Sequence, residues 1–318
     1  VLFRSTFYIA AYNKKNYEID LLYLLSLTDN NQKTQIKKFL SKLTGSLSHN
    51  KSVVEEKLYI YDIDFQTYNK KLYWSDYKGV FIASFDSTLV IKSIKQIDSS
   101  KSLSLDKNFS KVYYTVGKKV DANIFINYKT FVEAYSKFIS KKYSKNLFIL
   151  QKFAAWSGFD LSIKNQSFSL NGFTTAPDTS LFLGLFKNQS APQMRLTSFA
   201  PYNTSVLLYF GINDFSSFYP SLQNFFLSND LQSDDYNYIV KKCKSVDIDI
   251  ENIIINLIGN EYALVSNATD NKHSTDNFFA VINVSDSIAA RTMLINLCDA
   301  FPDNTSIIDT INTNYFSG

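Results

Sequence analysis

Val80-Phe81-Ile82-Ala83-Ser84-Phe85, then Asp86-Ser87, then an apolar-periodic run from Leu89 to Ile97, is the stretch that decides how this chain folds. It reads as an apolar strand, a tight polar turn and an amphipathic helix. The same unit recurs. Ala122 to Tyr128 leads into Phe131 to Ile139, Val206 to Gly211 leads through Asn213-Asp214 into Phe215 to Phe226, and Phe278 to Val284 leads through Ser285-Asp286 into Ile288 to Leu297. Ile19 to Leu27, with Asn30-Asn31 and Ile36 to Leu43, is a looser fifth copy. A recurring strand-turn-helix unit predicts an α+β protein, with antiparallel-rich sheets and helices packed on one face. It says how layers are built and leaves function open.

Working outward, Thr6 to Tyr12 and Glu18 to Leu27 read as strands around the polar turn Asn13 to Asn16, and Asn30 to Leu43 as a helix closed by Gly45. Ser46 to Ser52 reads as a polar loop, and Lys57 to Asp64 as a half-buried strand. Lys71 to Tyr77 and Gly79 to Phe85 form a hairpin around Lys78-Gly79, and Asp160 to Lys164 with Phe168 to Thr174 form another around Asn165-Gln166. Pro220 falls inside the helix after Asp214, where it either kinks the helix or marks a late first turn. Asp249 caps a helix ending at Gly259, and Glu261 to Ser266 returns as a strand. The Ser-rich stretch Asp98 to Asp106 marks the expected boundary between two related halves, residues 6–105 and 106–318.

Composition narrows the chemistry. The chain has 318 residues, 45% of them hydrophobic and 19% charged, which describes a folded globular protein with room for one large core or two ordinary ones. A net charge of +4, from 33 basic and 29 acidic residues, is too balanced for a nucleic-acid partner. Lysine pairs such as Lys37-Lys38, Lys141-Lys142 and Lys241-Lys242 read as solvated helix faces. Cys243 and Cys298 form no metal spacing, and a single bridge between them stays open. No apolar run approaches the roughly 18 to 20 residues of a membrane span. Val1 to Ser5 reads as the in-frame translation of a sequencing-adapter end, so the chain is expected to be a fragment lacking an upstream anchor.

Nine glycines are scattered so widely that no two lie within five positions, which excludes a phosphate-cradling loop. His49 and His273 sit in polar segments without zinc spacing or a nucleophile turn. Two carboxylate groupings carry the remaining catalytic or cation reading. Asp62 and Asp64 alternate on one face of a strand, and Asp247, Asp249 and Glu251 alternate before an apolar helix. The structural reading is a solvent-facing strand edge for the first and a helix N-terminus for the second. Asp234-Asp235 reads as a solvated loop pair. Trp74 and Trp156 are stacking platforms on one reading and core residues on the favoured one. The Asn-x-Ser/Thr triplets at Asn108, Asn165 and Asn203 carry no message in a chain so rich in Asn and Ser.

Phe153 to Lys164, with Leu170-Asn171-Gly172-Phe173, resembles a family of large bacterial envelope proteins, a domain of unknown function typical of Bacteroidota. Phe81 to Phe85, Val206 to Tyr219 and Leu257 to Glu261 extend the resemblance over most of the chain. It implies an N-terminal membrane anchor, a C-terminal propeller-like region elsewhere in the polypeptide, and a periplasmic or cell-envelope location. It implies no catalytic residues, metal or cofactor, and none is assigned. The resulting expectation is a non-catalytic envelope scaffold or protein-interaction domain, with envelope proteins or the downstream propeller as partners. The rival is an enzyme or small-ligand binder with a site between the two halves.

Overall fold

The computed structural model describes residues 6–13, 19–44, 50–55, 58–65, 70–99, 101–136, 149–231, 234–267 and 278–300. The chain divides into two compact units, Val1–Thr175 and Ala176–Gly318. The stretch Asp98 to Asp106 lies inside the first unit.

The first unit runs β1 (Phe7–Asn13), β2 (Ile19–Ser26), α1 (Asn30–Thr44), β3 (Asn50–Glu55), β4 (Leu58–Phe65), β5 (Lys70–Tyr77), β6 (Val80–Ser84), α2 (Ser87–Asp98), a 3-10 turn at Leu103–Leu105, α3 (Lys107–Tyr113), β7 (Ala122–Asn127), α4 (Tyr128–Tyr135), β8 (Trp156–Lys164) and β9 (Ser167–Thr175). The first six strands form one antiparallel sheet in the order β1-β2-β6-β5-β4-β3. β7, β8 and β9 form a separate antiparallel meander. Strand β3 covers Asn50 to Glu55, part of which reads as loop from sequence. Val53 is paired to Tyr59 and Ser52 to Ile60, so neighbouring β4 supplies the order that the polar sequence lacks.

Local signals behave as their chemistry dictates. The β5–β6 turn places Lys78 and Gly79 at φ 47° and 79°, the left-handed pair that a two-residue hairpin needs. The β8–β9 turn does the same with Asn165 and Gln166 at φ 45° and 66°. Each strand-turn-helix copy has an Asp or Asn cap that answers an orphan helix N–H. Asp86 accepts from Thr88 N at 2.8 Å, and Asn127 from Thr130 N at 3.4 Å. In the looser first copy Asp29 accepts from Gln32 N, while Gln32 Oε1 reaches back to accept from Thr28 N, one residue before the cap.

The α+β class with antiparallel sheets holds, but the helices of the six-stranded sheet take both faces rather than one. Ile36 and Leu40 of α1 pack with Leu25, Ile63, Leu72, Trp74, Phe81 and Ala83. Val90 and Ile94 of α2 pack with Leu22, Ile60 and Ile82. Successive side chains of a strand alternate faces, so Phe81 and Ala83 meet α1 while Ile82 between them meets α2. A continuous apolar strand such as β6 is stable only when both faces are covered. Val90 and Ile94 are fully buried, and each such side chain contributes about 1.5–3 kcal/mol.

In the β7–β8–β9 sheet, α3 closes one face. Its Val112 is fully buried beside Gly158, and Phe109 packs against Phe125 and Trp156 with ring centroids 5.2 and 5.1 Å away. Sequence reading missed α3, which begins where the Ser-rich stretch ends. Asp106 caps it through Asn108 N and Phe109 N. Gly172 permits close approach of β9 to β8, since a Cβ there would stand 2.0 Å from the Gly158 carbonyl oxygen.

The second unit holds 3-10 turns at Phe182–Phe186 and Leu196–Phe199, then β10 (Thr204–Gly211), α5 (Phe215–Ser228), α6 (Asp234–Ser245), α7 (Ile250–Leu257), β11 (Ile258–Asn267), β12 (Phe278–Val284) and α8 (Ser287–Ala300). The strands form an antiparallel meander, β10-β11-β12. Asp214, Asp249 and Asp286 cap α5, α7 and α8. Pro220 lies inside α5, between Phe218 and Phe225, which are buried with Leu185 and Ile212. Phe215 and Leu222 pack against them half-buried. Helix α6 was legible only at Lys241-Lys242, read as a solvated helix face; its start at Asp234-Asp235, read as a loop pair, lies in the helix instead.

Candidate functional site

The first carboxylate grouping is half as expected. Asp62 and Asp64 share a face of β4, but β4 is an interior strand and Asp62 is only 8% exposed, so the solvent-facing edge is corrected for that residue. Asp62 Oδ2 accepts from Lys71 Nζ on β5 at 3.2 Å, and this contact, aided by Asp62 and Asp64 charge, holds the Lys71 ammonium above its ordinary pKa. An ammonium on the carboxylate leaves an ion pair where a cation would need open oxygens.

The second grouping disperses. Asp247 lies in an exposed turn at φ 59°. Asp249 accepts from Asn252 N at 3.1 Å as a helix cap. Glu251 turns inward, its Oε1 accepting from Gln223 Nε2 at 2.8 Å and Tyr236 Oη at 2.9 Å. Tyr236 Oη also meets Tyr219 Oη at 3.1 Å. Burial, then the hydrogen bond and charge of its neighbours, pushes the Tyr219 hydroxyl far above its ordinary range. The network ties α5, α6 and α7 together, and its Tyr219 hydroxyl keeps its proton, the opposite of a group poised for acid–base work at neutral pH.

Among the described residues, no group of three or more His, Cys, Asp or Glu side chains gathers as a metal site requires. His49 and His273 lie outside the described residues, as do the side chains of Asp234, Asp235 and Cys298. Cys243 is a free, fully buried thiol whose pKa burial raises, the behaviour of a core residue. Both tryptophans are core residues. Trp74 is 2% exposed and stacks on Tyr61 at 4.4 Å, and Trp156 donates its indole N–H to Asp106 Oδ2 at 3.1 Å. The concavity between α1 and its sheet, lined by Ile36, Trp74 and Phe81 among others, has no space for a water molecule.

Sequence reading passed over the most deeply buried carboxylate among the described residues of the second unit. Glu261 on β11 is 2% exposed, and its Oε2 accepts from Arg195 N at 2.8 Å and Leu196 N at 2.9 Å. It latches the start of the Leu196–Phe199 turn onto the sheet, seating Leu196 on Ala263 and Val265. Burial, then the charge and contact of Glu261, raises the pKa of neighbouring Tyr209. Glu261 was legible only as a strand start, and its partners lie 66 and 65 residues away.

The feature left without an internal role is a sheet face. On β10–β11–β12, Leu207, Tyr209, Ala263, Val265 and Val281 face the core with Leu196. The opposite face pairs Leu208 with Leu264 and Tyr262 with Ile282. The aromatic cluster of α5 takes only the Tyr262 end. Val206, Leu208, Leu264, Ile282 and Val284 are all exposed on the remainder. Contiguous apolar surface of this kind is characteristic of interaction sites. No protein-family model, no curated protein and no solved structure matches the chain.

Proposed function

We propose that this chain is a non-catalytic protein-interaction or scaffold domain of the bacterial envelope, engaging a protein partner through the open face of the β10–β12 sheet. The observation that carries the reading is that face: Val206, Leu208, Leu264 and Ile282 are aligned by strand register and exposed, while the reverse side is packed. Asp62, Asp249, Glu251 and Glu261 support it, since each is held by protein donors. The envelope location rests on the family resemblance of the sequence.

A photo-crosslinking amino acid placed at Leu208 or Ile282 tests this in bacterial envelope preparations, with the exposed α2 position Lys92 as control. The expected result is a discrete adduct from the sheet positions, absent from Lys92 and abolished when the neighbouring Leu264 is changed to Lys. Equal labelling from all three positions, or none, overturns the reading.

A further inference from the structure

We infer that β9 is a self-association edge, through which two copies of the chain join their β7–β8–β9 sheets into one antiparallel six-stranded sheet. β9 ends its sheet, beyond β8, and Ser167 through Thr174 are all exposed. Phe168, at 77%, and Phe173, at 62%, project from opposite faces. The strand is Ser-Phe-Ser-Leu-Asn-Gly-Phe-Thr-Thr, with no charge and no proline, and its register with β8 runs from Lys164↔Ser167 to Trp156↔Thr175 without a bulge. Those are the devices by which edges are ordinarily protected. β3, by contrast, carries Lys51 and Glu55, and β10 has a register shift between Thr204 and Val206.

The hairpin fixes which backbone groups are free. In a two-residue turn the flanking residues, here Lys164 and Ser167, form a hydrogen-bonded pair. Alternation then turns Ser167, Ser169, Asn171, Phe173 and Thr175 toward β8, and the N–H and C=O of Phe168, Leu170, Gly172 and Thr174 outward. None of these outward groups takes part in a backbone bond outside the ladder among the described residues. An antiparallel second copy of β9 satisfies all of them in one register. With the two-fold axis at Asn171, Phe168 meets Thr174 and Leu170 meets Gly172, each twice, giving a closed ladder of eight hydrogen bonds (two per narrow pair). The axis stands perpendicular to the sheet, so like faces stay on the same side and Phe168 and Leu170 of both copies lie on one face of the joined sheet. No charge opposes its own image, because the strand has none.

Pairing nine-residue strands with their side chains buries about 1,000 Å² in total, below the standard interface size, which makes this a weak and reversible association. This site lies in the first unit and does not rest on the β10–β12 reading.

The test uses the full chain with Cys298→Ser, Cys243 being buried. At the axis the two Asn171 residues form a non-hydrogen-bonded pair, the close spacing that a disulfide bridges. Asn171→Cys is expected to oxidise to a covalent dimer, at least tenfold faster than Ser169→Cys, which faces Phe173 of the other copy. Sedimentation equilibrium is expected to show a monomer–dimer equilibrium that Leu170→Pro shifts at least tenfold toward monomer. That proline removes an outward N–H and leaves the β8 ladder intact, so Trp156 fluorescence stays native. A monomer at all concentrations, equal oxidation of the two cysteine variants, or a natively folded Leu170→Pro chain that dimerises as before each overturns the proposal.

Discussion

Removing the Glu261 carboxylate is expected to loosen the second unit and leave the first untouched. In Glu261→Ala two backbone donors lose their acceptor. Leu196 is 4% exposed, so its N–H is stranded away from water, whereas Arg195 is exposed and its N–H turns to solvent. A buried donor without a partner costs about 1–3 kcal/mol, and the loss of a charge-assisted bond at Arg195 adds about 1 kcal/mol, for a total of about 3 kcal/mol. Glu261→Gln keeps an oxygen at the same reach and costs about 1 kcal/mol. Both tryptophans, Trp74 and Trp156, belong to the first unit, so indole fluorescence does not report the second. The buried Cys243 thiol of α6 does, through maleimide labelling in a Cys298→Ser background. With an m-value of about 2 kcal/mol per molar, the labelling midpoint falls by about 1.5 M urea in Glu261→Ala and by about 0.5 M in Glu261→Gln. The tryptophan transition stays in place. Labelling of Glu261→Ala at the parent urea concentration would refute the latch, and equal shifts for Ala and Gln would refute the role of the acceptor oxygen.

Phe218→Ala is expected to cost about 3–5 kcal/mol by opening a cavity among Leu185, Ile212 and Phe225, and Phe218→Asp more, read by the same thiol assay; an unchanged midpoint would contradict the packing. Asp106→Ala removes the α3 cap and the Trp156 bond, and a cost of about 1–2 kcal/mol is expected from tryptophan-monitored melts. Burial pushes the Asp106 pKa up, but the bonds from Phe109, Trp156 and Asn108 outweigh it and hold the carboxyl below its ordinary 3.8. The stabilisation is therefore complete above that value and is lost as pH falls through the lower folded pKa, so the advantage over Asp106→Asn shrinks in acid; a constant difference down to strongly acidic pH would contradict the assignment. Millimolar calcium, magnesium or nucleotide is expected to leave both unfolding transitions unchanged, whereas a ligand at a hundredfold its dissociation constant adds about 2.7 kcal/mol. A calcium-dependent rise abolished by Asp62→Asn or Asp249→Asn would displace the scaffold reading.

The elements that sequence reading placed correctly are those whose cause is local. A carboxylate two or three residues ahead of a helix N–H, as at Asp29, Asp86, Asp214 and Asp286, caps that helix whatever surrounds it. Lys78-Gly79 and Asn165-Gln166 make their turns because two adjacent residues accept positive φ. The apolar run Phe81-Ile82-Ala83 forces a buried strand, and the faces to which its residues belong follow from alternation. What covers each face does not follow, because α1 and α2 precede and follow β6 with the same amphipathic signature and only strand order assigns them to opposite sides. Strand β3 and helix α6 exist through neighbours rather than through their own weakly apolar sequences. Asp62 became an ion pair because β5 brings Lys71 beside it, and Glu261 became a latch because the fold returns Arg195 and Leu196 to β11. Backbone preference and periodicity act within a few residues and are written in the chain itself. The burial of a charge, the closing of a sheet face and the exposure of an edge are sums over residues far apart in sequence, and tertiary structure alone brings those terms together.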